Sequence, residues 1–276
     1  MATREYARHA LFGIAPPQTN PVVEAEMSAL LPDGVGMLVT RLTGDADDAR
    51  ARFYQYLQNL ETSLRAYGKA QIDAFGFSFT ATAYLDDAKQ DERLNQLSDQ
   101  FGYPIISSAQ ALKRALNHLG AERIALFSPY PDWLTQLSQA YWRRQGFDVV
   151  SCASMPDDTS DTVNIYGLRT DGLLEASKAL ATDEADVILV TGSGMATLPA
   201  AQTLTERTGK PFLSSNICLA WALLDELGLA HLAPPSAPSS VSKKTSWLEF
   251  DVVSIYFFGF TGRKFDLVFN CMFPRQ

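Results

Sequence analysis

Two stretches of the chain are spelled alike, GYPIISSAQALKRALNHLG (102–120) and GKPFLSSNICLAWALLDELG (209–228). Each runs Gly-x-Pro, two apolar residues, Ser-Ser, and then a helical pattern ending Leu-Gly. Upstream of each lies an apolar run that closes on small hydroxylated residues, FSFTATA (77–83) and VTGSGMA (190–196). The order of both elements repeats, which points to a duplicated unit. Chance likeness between two strand–helix units is the plain alternative. Duplication would place Thr80 and Ser193 at matching strand ends. Ligands of open α/β sheets sit at the carboxyl ends of strands, so the two ends would face one cleft.

The remaining sequence follows the same alternation. Strands are expected at 10–17, 35–43, 72–80, 103–108, 123–130, 147–155, 185–192 and 210–215. Helices are expected at 21–31, 46–68 (capped by Gly68), 85–102, 109–120, 134–146, 170–182, 196–209 and 216–228. Apolar runs without period-two alternation fit parallel strands covered by helices on both faces. The expected fold class is therefore α/β, with two pseudosymmetric Rossmann-like lobes of parallel sheet and a C-terminal β-rich extension. The first lobe takes residues 1–110 and 216–233, the second 111–215, and the extension 234–276. In that extension PPSAPSS (234–240) reads as a linker. FDVVSIYFFGF (250–260) and FDLVFNCMF (265–273) then read as a β-hairpin or an edge pair. Such aromatic strands need a cover. A homo-oligomer contact, packing on the chain's own core, and an extension without a role all satisfy that need.

The formal charge of −8 argues against nucleic acid or an anionic membrane as partner. It leaves a small anion open, because local dipoles in a cleft can outweigh net charge. Cys152, Cys218 and Cys271 are far apart, which suggests a reducing compartment rather than a disulfide framework. His9, His118 and His231 are equally scattered, and no zinc spacing occurs. The N-terminus lacks a leader-like apolar stretch and no apolar run reaches membrane length. A cytoplasmic location is expected.

VTGSGMATLP (190–199) is the most informative turn. It lacks the lysine of a phosphate loop. Thr191 and Met195 stand where a GxSxG nucleophile turn needs glycine. Backbone chemistry remains. The amides of Gly192, Ser193 and Gly194 can form a nest for a carboxylate, with the next helix N-terminus adding positive potential. A plain strand–helix turn needing small residues is the alternative. FTATAY (79–84) adds the Thr80 and Thr82 hydroxyls and further amides, or is simply a helix start. In SPYPD (128–132), Tyr130 either donates its phenol to an anion or packs at a turn. In PPQTN (16–20), Asn20 binds a ligand or caps the following helix.

Taken together and in order, these strand ends resemble the aspartate/glutamate racemase superfamily, nearest its maleate isomerase and arylmalonate decarboxylase branch, over roughly residues 10–230. PPQTNPVVEAE (16–26) is similar to the first-strand motif, with Asn20 and the Glu24-x-Glu26 pair in place. SPYPDWLTQ is similar to the segment that carries a ligand-binding tyrosine, and VILVTGSGMATLPA to the second-half strand and loop. The resemblance implies two lobes with a site between them and no metal or organic cofactor. It implies a small carboxylate or dicarboxylate held by Pro17, Asn20, Thr80, Ala81, Tyr130, Gly192, Ser193 and Gly194. It also implies two proton-transferring cysteines in racemases and isomerases, and one in the decarboxylase. Here Phe79 occupies the first of those positions and Gly192 the second. Tyr130, Ser193 and Thr80 remain as candidates for chemistry. A decarboxylase-like function is expected over two-cysteine isomerisation, with carboxylate binding without turnover as the alternative.

Overall fold

The computed structural model describes residues 4–155 and 161–232. The hairpin expected beyond residue 240 lies outside them. The first half builds a parallel sheet from β1 (Ala10–Ala15), β2 (Val35–Val39), β3 (Ala74–Phe77) and β4 (Ile105–Ser107), in the order β2-β1-β3-β4. The second half repeats it with β5 (Arg123–Ser128), β6 (Asp148–Ser154), β7 (Val187–Val190) and β8 (Phe212–Ser214), in the order β6-β5-β7-β8. Both sheets therefore share one winding, as duplication requires. The central strands β3 and β7 are buried at every residue, which explains their unbroken apolar spelling.

The helices are α1 (Val23–Leu30), α2 (Ala49–Gln58), α3 (Leu60–Arg65), α4 (Ala81–Phe101), α5 (Ser108–Leu119), α6 (Asp132–Arg144), α7 (Thr170–Ala176), α8 (Leu198–Thr208) and α9 (Ser215–Glu226). The Ser-Ser echo has a local cause. Ser107 caps α5 in a reciprocal box with Gln110, and Ser214 caps α9 by accepting from the Ile217 amide. Residues Ser215 to Leu224 of α9 are all buried, as expected of a helix apolar all round. This helix packs on α1, α5, β3, β4 and β8, so it touches both sheets. None of the helices among the described residues is long and apolar enough to cross a membrane.

Most expected strands are trimmed at their ends, and four elements depart further. The single helix expected over 46–68 divides at Asn59 into α2 and α3, and Gly68 follows a separate turn after α3. The helix expected from 85 begins at Ala81, with a kink at Asp86, where φ is −162° and ψ 90°. The FTATAY turn is thus already the first turn of α4. The strand expected over 35–43 stops at Val39, and only an isolated bridge joins Leu42 to Pro17. The helix expected over 170–182 ends at Ala176 and tightens into a 3₁₀ turn over Ser177–Ala179.

Ser107 also accepts from Gln90 Nε2 at 3.1 Å, and Gln90 is fully buried. Replacing Ser107 by alanine removes a cap and leaves that amide without its acceptor. We expect a loss of about 2 kcal/mol in urea unfolding, and a similar loss for Ser214→Ala, whose hydroxyl also accepts from Thr197 Oγ1 at 2.9 Å. A loss of about 1 kcal/mol or less at Ser107 would show that the Gln90 bond contributes nothing.

Candidate functional site

Four strand ends supply the candidate residues, and they converge. After β1 the chain passes Pro17 and reaches Asn20, which is buried. Its Oδ1 accepts from the amides of Val22 at 2.9 Å and Val23 at 3.2 Å, so it caps α1. Its Nδ2 also donates to Ser193 Oγ at 3.4 Å, in the other half. The capping role of Asn20 is thus present in the contacts, and its amide nitrogen bonds the 193 turn. Ser193 Oγ in turn donates to the carbonyl of Ser78, at the end of β3, at 2.9 Å. A second stitch joins Thr80 Oγ1 and the Tyr130 hydroxyl at 2.7 Å. The turns after β3 and β7 thus meet at one seam, and Thr80, Tyr130, Asn20 and Ser193 are all buried in it.

Unclaimed donors lie along the seam. No side chain caps the N-terminus of α4. The first amides of a helix have no partner within it, which leaves those of Ala81 and Thr82 available. Among the described residues, the N–H groups of Gly192, Ser193 and Gly194 meet no acceptor. Burial pushes the Tyr130 phenol well above its ordinary value. It therefore stays protonated and can donate to an anion.

The start of α8 behaves differently from the expectation. Its positive end is not open to a ligand, because Glu26 from α1 has taken it. Glu26 Oε1 accepts from the amide of Leu198 at 2.8 Å and from that of Thr197. Oε2 accepts from Thr197 Oγ1 at 3.0 Å and from Asn216 Nδ2 at 2.7 Å. Asn216 Nδ2 also reaches the Ser193 carbonyl, at 3.1 Å. A carboxylate at a helix N-terminus is favourable, and this one joins α1, α8 and α9 to the 193 turn. Burial raises the Glu26 carboxyl above its ordinary 4.5, while the N–H and O–H donors pull it down.

Neither strand end offers a thiol. The Phe79 ring packs edge-on against Phe53 at 4.9 Å and Tyr56 at 5.4 Å between centroids. Gly192 has φ of +94°, and a Cβ there would lie 2.7 Å from Pro129 Cγ and 3.4 Å from the Tyr130 hydroxyl. Glycine is the residue that tolerates this conformation and this approach. Cys152 sits on β6 and Cys218 on α9, and burial pushes both thiols up. Cys271 lies outside the described residues.

Next to the seam is a cavity of about 270 Å³ lined in part by Pro17, Arg52, Tyr56, Phe79, Thr162 and Tyr166. The Tyr166 ring lies directly on Gly194, where a Cβ would come within 2.5 Å of it. The Phe79 ring therefore forms part of the cavity wall beside the two turns. Sequence reasoning did not find Glu26 as a clamp, nor Ser78, Asn216 or Tyr166. Glu24-x-Glu26 was visible as a motif, but nothing in the spelling indicates which helix receives the carboxylate. Asn216 follows the second Ser-Ser, where the repeat alone accounts for its place.

Duplicated α/β halves whose strand ends meet at a polar seam define a class of two-lobed proteins. Within it, the chain belongs to the arylmalonate decarboxylase family, whose profile matches residues 15–237. It is 27% identical to a maleate isomerase of Pseudomonas putida over 239 residues, covering 79% of this chain and 92% of the relative. It is 31% identical to a maleate isomerase of Alcaligenes faecalis over 132 residues, covering 48% of this chain and about half, 51%, of that relative. The fold superimposes on a crystal structure of a Pseudomonas putida maleate isomerase with maleate at a TM-score of 0.74 and 22% identity, covering 84% of this chain and 97% of the other.

Two outcomes follow from these contacts. Gly192→Ala should cost at least about 2 kcal/mol, because strained φ and the Pro129 contact add. Gly68→Ala, with φ of +59° and open space around it, should cost only about 1 kcal/mol. Equal losses would show that Pro129 yields freely. For Glu26, a carboxyl raised in the folded state adds stability that is complete below its unfolded value near 4.5. That contribution is lost as pH climbs through the folded value. The unfolding free energy of the native chain minus that of Glu26→Gln should therefore fall as pH rises above 4.5, measured by urea titration at each pH. A difference that grows with pH would mean that the donors outweigh burial.

Proposed function

We propose that this chain holds a small carboxylate between its two halves on N–H and O–H donors, and that its chemistry is of the decarboxylase kind rather than two-thiol isomerisation. The observation that carries this is the meeting of Thr80, Tyr130, Asn20 and Ser193 at one seam, beside amides with no other acceptor. Family membership supports the substrate class, since its relatives are named for arylmalonate and maleate chemistry. Pro17 shapes one side of the pocket. Ala81, Gly192, Ser193 and Gly194 supply backbone. Thr80 and Tyr130 supply hydroxyls.

Loss of carbon dioxide from a malonate-type substrate leaves an electron pair that spreads onto the remaining carboxylate as an enediolate. Preorganised donors aimed at that developing charge lower the barrier. A neutral Tyr130 suits this role, because a buried phenol donates without itself ionising. The carbon then takes a proton from water or a hydroxyl, with Tyr130 as the relay. Ser193 serves in binding rather than as a nucleophile. Its hydroxyl donates to the Ser78 carbonyl, and its other partner is an amide, so neither neighbour is a base.

One observation favours a second function, binding without turnover. Neither Phe79 nor Gly192 has a proton to give. Carbon dioxide release from a panel of malonates, followed with calorimetric titration of malonate, separates the two. Product formation supports the lyase. Saturable binding without product supports the carrier, and no binding overturns both. If the lyase holds, Tyr130→Phe and Thr80→Val should each lower kcat/KM by about 10²-fold. An unchanged rate in both would remove these hydroxyls from the mechanism.

A further inference from the structure

Resting on the carboxylate-holding function proposed above, we propose that Glu26 and Asn216 form a positioning pair for the site. Together they turn the peptide between Ser193 and Gly194 so that the Gly194 N–H donates to the bound carboxylate. Neither side chain touches the ligand; both act through the backbone.

Asn216 Nδ2 donates to two acceptors, Glu26 Oε2 at 2.7 Å and the Ser193 carbonyl at 3.1 Å. An amide nitrogen carries two hydrogens, one for each. Only the nitrogen end of the side chain can face two oxygens, so the carboxylate fixes which way Asn216 points. Asn216 in turn fixes the Ser193 carbonyl. A trans peptide is planar, and its C=O and N–H point in opposite directions. The Gly194 N–H therefore points away from Asn216. It meets no acceptor among the described residues, although Gly194 is buried. Buried N–H groups are nearly always paired, so this donor is set for a partner that the chain itself does not supply. Gly194 lies against Tyr166, a wall residue of the cavity beside the seam.

The repeat supplies an independent sign. GYPIISSA (102–109) and GKPFLSSN (209–216) place Ala109 where the second half has Asn216. Both positions are buried. A buried amide costs free energy unless it is bonded, and alanine serves the same place in the first half. Asn216 even leaves its own Oδ1 without a partner, a cost that alanine would avoid. The second half thus carries a polar device at a position where packing alone asks for none, and that device ends on the 193–194 peptide.

Ser-Gly occurs once in the sequence, at 193–194, which gives the test a direct probe. In the full chain, serine labelled at its carbonyl carbon and glycine labelled at nitrogen mark the Gly194 amide alone in an NMR spectrum. Malonate added to the native chain should shift that signal downfield and saturably. Asn216→Ala removes the donor to the Ser193 carbonyl, and Glu26→Gln has one acceptor oxygen where Glu26 has two. In both variants the shift should be lost, and malonate should bind about tenfold more weakly by calorimetric titration. Because Glu26 acts through Asn216, the double variant should bind no more weakly than Asn216→Ala. Thr197→Val is the control. It removes a hydroxyl from the Glu26 cluster but keeps the bond from Asn216 to Ser193, so it should retain both the shift and the affinity. A Gly194 signal that stays fixed while malonate binds would overturn the pair and leave carboxylate binding standing. So would native affinity in folded Asn216→Ala, or equal weakening by Thr197→Val. If Asn216→Ala and Glu26→Gln both fail to fold, the pair holds the fold rather than the donor, and the proposal is overturned. No malonate binding by the native chain would overturn the underlying carboxylate function, and the pair with it.

Discussion

A single buried carboxylate links most of what distinguishes this molecule. Glu26 rises from α1 in the first half and closes the N-terminus of α8 in the second. Through Asn216 it reaches the backbone of Ser193. The two halves are alike in winding, yet this contact makes their helix starts unlike. The start of α4 carries no side-chain cap, while the start of α8 is sealed. A duplicated fold thereby acquires a direction. One strand end presents a helix amide pair to the seam, and the other presents only the glycine-rich turn that precedes its helix.

Much of the architecture was legible because it is periodic. Apolar runs without alternation gave parallel strands, and the Gly-x-Pro…Ser-Ser echo gave the repeat. What periodicity could not report was local geometry. The division at Asn59 has no glycine or proline to mark it. The kink at Asp86 let an amphipathic pattern that starts at 85 hide a first turn that begins at Ala81. The seam was legible in part, since strand ends of small hydroxylated residues marked Thr80, Tyr130 and Ser193. Partners were not. Ser193 meets a carbonyl of Ser78, and Arg52 meets Asp161 across 109 positions. Contacts of that range are set by how sheets are placed, and no window of sequence contains both ends.

The seam combines N–H and O–H donors with strand ends that carry no thiol. Phe79 is held by its neighbours, not merely tolerated. Its ring packs among Phe53, Tyr56 and Phe77, and aromatic pairs of this geometry add to the area they bury. Tyr130 is a donor by virtue of its burial, because the surroundings that raise its phenol also keep it neutral. These features belong to one design: polarity supplied largely by N–H and O–H dipoles, with Tyr84 against Tyr130 and the Arg41 guanidinium on the Asn20 carbonyl as the ionisable neighbours.

The turn at Gly192 carries a consequence for how such a site can change. Any side chain introduced there meets Pro129 while the backbone remains in a conformation suited to glycine. A single substitution there therefore makes a less stable protein whatever chemistry it brings. Gly192 and Pro129 therefore constrain each other: a side chain at 192 needs room at 129 as well, and even with that room it inherits a backbone conformation suited to glycine.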